Sequence, residues 1–347
     1  MEDFRNFTIN MLKDYLEKDG YPQFYARQVF NWVYKKRIKD FSLMTDLSKQ
    51  ARDYLKKNFY FSSFKVIEKR VSRDGTQKFL FSLSDGDAIE SVVIPEGRRL
   101  TLCVSTQVGC KFGCRFCVSG IGGFKRNLKV SEIINQFLEV EKVIEPSKIT
   151  NIVFMGIGEP LDNFDNLVKS IEILTSPYGI YFGKKRICIS TCGIPKRIRE
   201  LVSSNLGVRL SISLHASCEE KRSLIMPVNK RYSLREVVKA AKEYAKRYKF
   251  PVTFEYILIK GVNSSEEDAY KLARLIRTIN CKVNLIPYNP SSYFNWQPPS
   301  VYDINRFKDI LKKKNVFFTL RKPRGQDIEA ACGQLRRRNF NEGNNKK

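Results

Sequence analysis

Three cysteines stand within eight residues of one another, as Cys110, Cys114 and Cys117 in the segment CKFGCRFC. A structural zinc site normally takes four ligands as two separated pairs, often with histidine, and this chain has a single histidine. Three thiolates on one short segment instead suit three corners of a 4Fe–4S cluster, because such clusters are held by cysteine thiolates. The fourth iron is then open to a substrate or cofactor. The spacing therefore predicts an iron–sulfur centre with one open coordination position.

The residues around these cysteines are expected to support such a cluster. Lys111 and Arg115 flank the thiols in the sequence, and we expect their charges to keep the thiols deprotonated and to offset the charge of the cluster. Nearby glycines should let the chain wrap tightly around it.

Polar or glycine-rich residues follow several of the predicted strands. The segment 156–159 reads Gly-Ile-Gly-Glu, and Ser190, Ser213, His215 and Asn289 stand in or just after later strands. In a β/α barrel the chemistry sits at the carboxyl ends of the strands, so these residues are candidates for binding groups. Hydroxyls and an amide can hydrogen-bond a ribose or a carboxylate. A glycine-rich turn alone is weak evidence, and an isolated histidine is more often structural.

The elements that must position these residues fall into four regions. Residues 1–60 carry apolar side chains at helical spacing, which predicts a small helical domain. Residues 61–98 change to a period of two, with Asp-Gly pairs between apolar runs, and predict antiparallel hairpins. From 99 to 323 strand and helix patterns alternate, which predicts a parallel sheet. Residues 324–347 contain Cys332 and end in a basic tail.

The predicted fold class is therefore α/β. The pattern alone predicts a parallel sheet that is either doubly wound or curled into a barrel, preceded by the small N-terminal helical domain and a short antiparallel β extension. The expected strands of the parallel sheet are LTLCVST, NIVFMG, RICIST, GVRLSISLH, VTFEYILI, KVNLIPY and VFFTLR.

Composition narrows the class of partner and the compartment. The 347 residues include 62 Lys and Arg against 36 Asp and Glu, a formal net charge of +26. RNA or DNA fits this charge, because each neutralised phosphate releases counterions, although a merely basic surface would carry it as well. The nine cysteines are an odd number, and clustered thiols are more often metal ligands or catalysts than disulfides. Because no apolar run reaches the roughly 18 residues of a membrane span and the N-terminus lacks a signal-peptide core, we expect a cytoplasmic protein.

The cysteine spacing resembles that of the radical S-adenosylmethionine superfamily, and the Gly-x-Gly-Glu-Pro segment at 156–160 is similar to its Gly-Glu motif. This resemblance implies a partial (β/α) barrel of the radical SAM type. A closer resemblance is to the RlmN family of dual-specificity RNA adenine methyltransferases. N-terminal segments such as RQVFNW and FSLMTDL resemble the accessory domain of that family, which we expect to bind RNA. The resemblance covers nearly the whole chain, and the remaining matching segments are CVSTQVGC, GFKRNL, IPYNP and DIEAACGQL.

This resemblance implies the cofactors and the residues that contact them. It implies a 4Fe–4S cluster on Cys110, Cys114 and Cys117, and two molecules of S-adenosylmethionine consumed for each methylation. In the superfamily, one-electron reduction cleaves the sulfonium to a 5′-deoxyadenosyl radical. We expect His215 to contact the cofactor rather than to act as an acid or base. The positions that match cofactor contacts are Gly158, Glu159, Ser190, Ser213, Leu214, His215 and Asn289.

The resemblance also implies a covalent mechanism at carbon 2 of adenosine. That carbon is no nucleophile, so the family combines a radical with covalent catalysis. Cys332 matches the cysteine that is first methylated and whose methyl carbon, as a radical, adds to the adenine. Cys103 matches the cysteine that then attacks the sulfur of Cys332, which frees the base and forms a transient disulfide. Glu90 matches the carboxylate that takes the proton from the ring carbon.

Without the resemblance these residues have plainer interpretations. A cysteine in AACG, or in an apolar strand such as that of Cys103, is more often a small buried hydrophobe. Glu90 would be an ordinary solvent-facing strand residue. No family position claims the other cysteines, and we expect a structural role for Cys188, Cys192, Cys218 and Cys281.

The resemblance implies as substrates an adenosine of the peptidyl-transferase centre of 23S rRNA and one beside the tRNA anticodon. It also implies a one-electron donor such as flavodoxin or ferredoxin, and a monomer. Three alternatives stay open: a sister family (Cfr) that methylates carbon 8, a redox sensor that binds RNA without turnover, and a radical enzyme with a small substrate. The segments GEP and IPY favour carbon 2, and the charge of +26 argues against a small substrate.

Overall fold

The N-terminal region packs short helices around an aromatic core. Thr8 and Ser48 cap two of the helices, because each hydroxyl accepts the backbone N–H three residues further on. The ring of Phe4 is fully buried and lies edge-on to Phe30 and Phe59, with centroids 5.9 and 5.8 Å away. The elements are helices α1 Ile9–Lys18, α2 Phe24–Phe30 and α3 Lys49–Asn58, and the short parallel strands β1 Glu2–Asp3 and β2 Phe59–Tyr60.

Four antiparallel strands follow, and together with the later strands they form one sheet. The protein is described here by a computed structural model that covers residues 1–62, 64–335 and 338–339. The expected Asp-Gly turns are confirmed, since Gly75 and Gly86 both adopt a φ of +83° between paired strands. The antiparallel strands are β3 Lys65–Val71, β4 Gln77–Ser82, β5 Asp87–Glu96 and β6 Arg99–Cys103.

The strand β6 also begins the parallel part of the sheet. From β6 the parallel strands lie side by side in chain order, and the predicted alternation of strand and helix is confirmed. The parallel strands are β9 Asn151–Phe154, β10 Ile187–Thr191, β11 Arg209–Ser213, β12 Val252–Leu258, β13 Cys281–Pro287 and β14 Phe318–Leu320. A separate antiparallel pair, β7 Gln107–Gly109 and β8 Phe124–Asn127, lies in the first crossover, and β15 Arg338–Asn339 pairs with β5. The helices are α4 Val130–Val143, α5 Phe164–Thr175, α6 Pro195–Ser203, α7 Glu219–Ile225, α8 Leu234–Tyr248, α9 Glu266–Ile276 and α10 Val301–Lys313.

The sheet is a partial barrel, as predicted. Within the described residues β14 has no pairing with β6, so the sheet curls without closing. The antiparallel strands extend this same sheet rather than forming a second one. No helix in the described part of the chain has the length and apolar character needed to cross a bilayer. Most of the predicted basic tail, residues 336, 337 and 340–347, lies outside the described residues.

Alternate residues of the parallel strands face a core on one side and a concave surface on the other. On β10, Ile187 and Ile189 are fully buried, whereas Cys188 and Ser190 between them are half-buried. Because successive side chains of a strand point to opposite faces, the apolar set packs on one side of the sheet and the polar set is left on the other. The concave surface is thus free to line a binding site.

Candidate active site

The three clustered cysteines lie on the loop that follows β7, at the carboxyl edge of the sheet. Their thiols line one cavity of about 160 Å³, which we call the thiol cavity. Backbone hydrogen bonds hold the loop in place: Cys110 N–H donates to the carbonyl of Gly123 (3.1 Å), Cys117 N–H to that of Cys114 (3.0 Å), and Arg115 N–H to that of Ile225 (2.9 Å).

A glycine at the start of this loop allows its return to β8. Gly109 has a φ of +76°, a conformation that favours glycine. A Cβ at this position would overlap the carbonyl oxygen of Gly123, the group that accepts the hydrogen bond from Cys110. The close approach of two backbone segments therefore fixes where the first thiol lies.

Burial dominates the electrostatics of these thiols. It raises the pKa of each of them, that of Cys114 well above its usual range. The expected role of the flanking cations differs from the structure, because Lys111 Nζ pairs with Asp162 at 2.7 Å and Arg115 is exposed. The cation that lowers the pKa of Cys114, against burial and the neighbouring thiols, is Arg222 on α7.

The donor set nevertheless fits an iron–sulfur cluster. Within residues 1–62, 64–335 and 338–339, no three His, Cys, Asp or Glu side chains are arranged to hold a single metal ion. A cubane does not require such convergence, because each cysteine thiolate binds a different iron. A bound metal also favours the thiolate where burial alone disfavours it. Three thiols on the wall of one cavity are therefore a suitable set of ligands for the cluster.

The opposite wall of the thiol cavity is the turn after β9. A Cβ at Gly156 would lie 2.6 Å from Ser105 Oγ, and one at Gly158 would lie 2.5 Å from the Cβ of Gln107. Gly158 also has a φ of +101°. These two glycines are needed because the turn packs directly against the segment that leads from β6 to β7.

Glu159 is held rigidly at the end of this turn. Its carboxylate is buried and accepts the backbone N–H of Leu161 (3.0 Å) and of Cys192 (2.7 Å). Burial raises the pKa of Glu159, and these hydrogen bonds oppose the increase. Each carboxylate oxygen has a second lone pair, so the group can still accept a hydrogen bond from a ligand in the cavity.

Ser190, Ser213 and His215 line the same cavity from β10 and β11. His215 adopts a φ of +58°, and its Nδ1 accepts the N–H of Ile257 at 3.0 Å, which places the ring proton on Nε2. Burial, aided by the charge of Arg222, lowers the pKa of His215 to about 3. The imidazole is therefore neutral near pH 7 and can donate a hydrogen bond from Nε2.

Leu214 and Asn289 differ from the other predicted contacts. The side chain of Leu214 is fully buried in the core, and its backbone N–H donates to the carbonyl of Glu255 at 3.1 Å. Asn289 lines a small adjoining cavity together with Cys332, and its Oδ1 accepts a hydrogen bond from Gln326 (3.0 Å). The structure thus places both beside the thiol cavity rather than on its wall.

Cys332 lies where two cavities meet. It lines the thiol cavity, and it shares with Cys103 and Cys117 a second cavity of about 40 Å³, which we call the cysteine-pair cavity. Both Cys103 and Cys332 are free thiols. Burial, and next the charge of Cys332, raise the pKa of Cys103 to about 12.

The segment that carries Cys332 is fastened at several points. On one side the β3–β4 hairpin holds it, since Ser72 Oγ donates to Asp327 (2.6 Å) and Gly325 N–H donates to Asp74 (2.9 Å). On the other side Val118 N–H donates to the carbonyl of Gly333 at 2.8 Å, which joins it to the cysteine loop. The expected nucleophile is therefore delivered from the C-terminal segment to the sheet.

Glu90 is buried, contrary to the interpretation that its strand position alone would give. Its side chain is 1 % exposed and lies 3.4 Å from Nζ of Lys78, which is itself 4 % exposed. Lys78 Nζ also donates to the carbonyl of Glu329 at 3.1 Å. Glu90 shares one face of β5 with Val92 and Ile94, which line the cysteine-pair cavity. The ion pair therefore links the sheet to the segment of Cys332.

Sequence reasoning missed several residues of the site. Arg222 is fully buried and donates to the carbonyls of Cys192 (2.6 Å) and Leu214 (3.2 Å), which ties together the ends of β10 and β11. Cys192, for which a structural role is expected, lines the thiol cavity, and Arg321 lines both cavities. Charged residues in amphipathic segments are usually solvated, so the sequence carried no signal for Arg222.

Comparison with known families is consistent with this geometry. Residues 104–273 match the radical SAM superfamily, and residues 3–61 match the ribosomal RNA large subunit methyltransferase N-terminal domain. A crystal structure of a radical SAM methyltransferase from Sphaerobacter thermophilus has a TM-score of 0.88 to this chain, with 39% identity, over 96% of this chain and 99% of that one.

Proteins described as dual-specificity RNA methyltransferase RlmN are similar to the chain over nearly its full length. The relative from Desulfotalea psychrophila is 44% identical and covers 96% of this chain and 94% of its own. A protein described as a probable enzyme of this kind in Pseudothermotoga lettingae is 46% identical, over 94% of each chain. The corresponding protein of Clostridium novyi is 42% identical, over 97% of this chain and 98% of its own.

We predict that Gly109→Ala lowers the iron and sulfide bound per chain after anaerobic reconstitution. The left-handed conformation costs a non-glycine residue roughly 1–2 kcal/mol, and the added Cβ also displaces the carbonyl that fixes Cys110. Gly97→Ala is the matched control, because Gly97 has a φ of +56° but open space around its Cβ position. Equal iron contents in the two variants would contradict the prediction.

We predict that Lys78→Met destabilises the protein by about 3 kcal/mol, because it removes the cation that lies 3.4 Å from the buried carboxylate of Glu90. Urea unfolding followed by tryptophan fluorescence measures the change in the free energy of unfolding. The exposed Lys65→Met on the neighbouring strand should be nearly neutral, and adding Glu90→Gln to Lys78→Met should recover much of the loss. A single variant as stable as the wild type would show that the ion pair is not needed.

Proposed function

The chain belongs to the RlmN family of dual-specificity RNA methyltransferases, and we propose on this premise that it methylates carbon 2 of adenosine in RNA. The observation that carries the proposal is the position of Cys332. Its side chain borders both the cavity of the three clustered thiols and the cavity of Cys103. A single cysteine can therefore exchange groups with a cofactor on one side and with a second thiol on the other.

The cofactors follow from membership of the radical SAM superfamily, which implies a 4Fe–4S cluster and S-adenosylmethionine. When bound, they supply a carbon-centred radical able to remove a hydrogen atom from a methyl group. We propose Cys110, Cys114 and Cys117 as the ligands of the cluster. The proposed contacts to S-adenosylmethionine are Gly158, Glu159, Ser190, Ser213, Leu214, His215 and Asn289. Two molecules would be consumed for each methylation.

Cys332 is the proposed carrier of the methyl group. Arg321 is the cation beside it, since Arg321 and Cys332 line both cavities and the charge of Cys332 is the largest influence that raises the pKa of Arg321. The methylated sulfur would then present its carbon to the adenine.

Cys103 is the proposed resolving residue. After the methylene bridge between Cys332 and the base has formed, the thiolate of Cys103 attacks the sulfur of Cys332. The bond from sulfur to carbon breaks, its electron pair stays on the carbon, and a proton completes the methyl group. The two sulfurs remain as a disulfide. The shared cavity of about 40 Å³ supports this step, because Cys103 and Cys332 both line it.

Glu90 is the proposed acceptor of the proton from the ring carbon. It lies on the face of β5 that borders the cysteine-pair cavity, and Lys78 balances its charge. Because Lys78 Nζ also donates to the carbonyl of Glu329, it would hold the carboxylate of Glu90 in place relative to the segment that carries Cys332.

The proposed substrates are an adenosine of the peptidyl-transferase centre in 23S rRNA and one beside the tRNA anticodon. The N-terminal helical region would bind RNA, since residues 3–61 match a ribosomal RNA methyltransferase domain and Arg27, Lys35 and Lys36 are exposed there. We also propose that the chain is organised in the four regions predicted from the sequence, 1–60, 61–98, 99–323 and 324–347. We further propose a cytoplasmic monomer that takes its electrons from a flavodoxin or ferredoxin.

The product identifies the reaction. The anaerobically reconstituted protein, incubated with S-adenosylmethionine, a reductant and either tRNA or 23S rRNA, should yield 2-methyladenosine in digests examined by mass spectrometry. An 8-methyladenosine product would assign the chain to the carbon 8 reaction instead. Intact adenosine with a full cluster and bound RNA would indicate a sensor without turnover.

The two cysteines should fail at different steps. Cys332→Ala should retain the cluster but lose RNA methylation, because no sulfur is left to carry the methyl group. Cys103→Ala should accumulate a protein–RNA adduct that survives denaturing electrophoresis, because the bridge is not resolved. Cys281→Ala, which removes a thiol outside both cavities, is the control and should methylate normally. Methylation by Cys332→Ala would refute its role.

A further inference from the structure

A fourth and larger cavity, of about 790 Å³, opens on the same concave face of the sheet. We call it the amino-end cavity, because it is lined by residues earlier in each parallel strand. On β10 Cys188 lines it and Ser190 lines the thiol cavity, and on β11 the same holds for Ser211 and Ser213. Since alternate residues share a face, the two cavities follow one another along the strands. They meet at Met155, Glu255 and Arg321, which line both.

The walls of the amino-end cavity are polar. A closed β/α barrel fills this space with layers of bulky branched side chains. Here hydrogen bonds run across the strands instead, from Thr319 to Asn284 (3.0 Å) and from Asn284 to Glu255 (2.7 Å). The surface is therefore suited to a polar ligand. The inward residues that replace a core are Thr101, Asn151, Cys188, Ser211, Thr253, Asn284 and Thr319.

The amino-end cavity is also strongly basic. Among the described residues it is lined by eight cations and by two carboxylates, those of Glu96 and Glu255. Glu96 pairs with Arg99 at 2.6 Å. In the part of the chain that the structure describes, the other seven cations form no ion pair with a carboxylate, so their charges are available to a ligand. These seven are Lys185, Arg186, Arg209, Lys282, Arg321, Lys322 and Arg324.

We infer that the amino-end cavity receives a single-stranded segment of the RNA substrate, with the phosphates beside the target adenosine bound by the cations at its mouth. The inference rests on the proposed function and adds the surface that the RNA would use. Lys and Arg contacts to phosphates supply most of the affinity of proteins for nucleic acids. A volume of about 790 Å³ is in the range of sites for small organic molecules, so it admits one or two nucleotides rather than a duplex.

The position of the amino-end cavity would let the RNA and S-adenosylmethionine reach the site from opposite ends of the strands. The cluster and S-adenosylmethionine would lie at the carboxyl ends of the strands, beside the thiols. An adenine entering from the amino ends would pass Arg321 and Glu255 and reach Cys332, which borders the thiol cavity. A base must leave its stack for such chemistry, and a narrow polar cavity suits an extruded nucleotide.

Salt-dependent binding tests this inference independently of turnover. We would compare the reconstituted wild type with the variant Lys185→Gln/Arg209→Gln/Lys282→Gln by fluorescence anisotropy of a labelled RNA stem-loop that carries the target adenosine in its loop. The plot of log affinity against log salt should lose about 2 in slope, or about 0.7 for each of three lost phosphate contacts. At low salt the affinity should fall roughly tenfold or more.

The matched control removes the same charge elsewhere. Lys239→Gln/Lys246→Gln/Lys313→Gln changes three exposed lysines on the outer helices α8 and α10, and its slope should stay close to that of the wild type. Iron content and circular dichroism verify that each variant is folded. If the loss of Arg209, which bonds the carbonyl of Lys185, disturbs folding, the double variant Lys185→Gln/Lys282→Gln serves, with an expected slope change of about 1.4.

Each outcome bears on a different proposal. An equal loss of salt-dependent slope in the two triple variants would show that only the overall charge matters and would overturn the inference. So would competition by adenosine monophosphate as strong as that by the RNA, because the cavity would then be a nucleotide site. A wild-type protein that neither binds nor methylates RNA would instead refute the proposed function. If the wild type methylates RNA but binds it no better than Lys185→Gln/Arg209→Gln/Lys282→Gln does, the proposed function stands and the inference about the amino-end cavity is refuted.

Discussion

The organisation of the molecule depends on one constraint, the alternation of side chains along the parallel strands of an open sheet. On β10 and β11 the buried set, such as Ile189 and Ile212, packs on one side of the sheet, and this burial supplies the core. The alternate side chains, which face the concave surface, therefore do not have to pack in the core. They can be polar, as at Ser190 and Ser211, because the sheet does not close and leaves this face accessible to ligands. Each strand thus contributes to stability with one face and to the candidate site with the other.

The site is completed by a segment from the end of the chain. The segment supplies one wall of the cysteine-pair cavity, since Ala331 and Cys332 line it together with Val92 and Cys103 of the sheet. Its attachment combines a backbone bond, Val118 N–H to the carbonyl of Gly333, with bonds from side chains, such as Ser72 Oγ to Asp327 and Lys78 Nζ to the carbonyl of Glu329. The position of Cys332 therefore depends on side chains of β4 and of the β3–β4 turn as well as on the path of the backbone.

Local patterns in the sequence gave the elements, and tertiary contacts decided the rest. The strands and the Asp-Gly turns were predictable because period-two alternation and positive φ are properties of short segments. The cysteine loop was predictable because its ligands are close in sequence. By contrast, the burial of Glu90 depends on Lys78 from the neighbouring strand and on a segment about 240 residues later. The inward polar alternation in segments such as RLSIS was a local signal for an open face, and it could have been used.

The charges of the concave face are graded along the strands. The thiols at the carboxyl ends are buried, and burial raises their pKa, so the thiolate form there depends on a bound metal. At the amino ends Lys185 and Arg209 are exposed, where mobile cations can exchange counterions for phosphates. Arg321 stands where the two environments meet and lines both cavities. Under the proposed function, this cation would attract the anionic RNA strand from the amino ends toward the point where Cys332 lies, because Arg321 and Cys332 both line the thiol cavity.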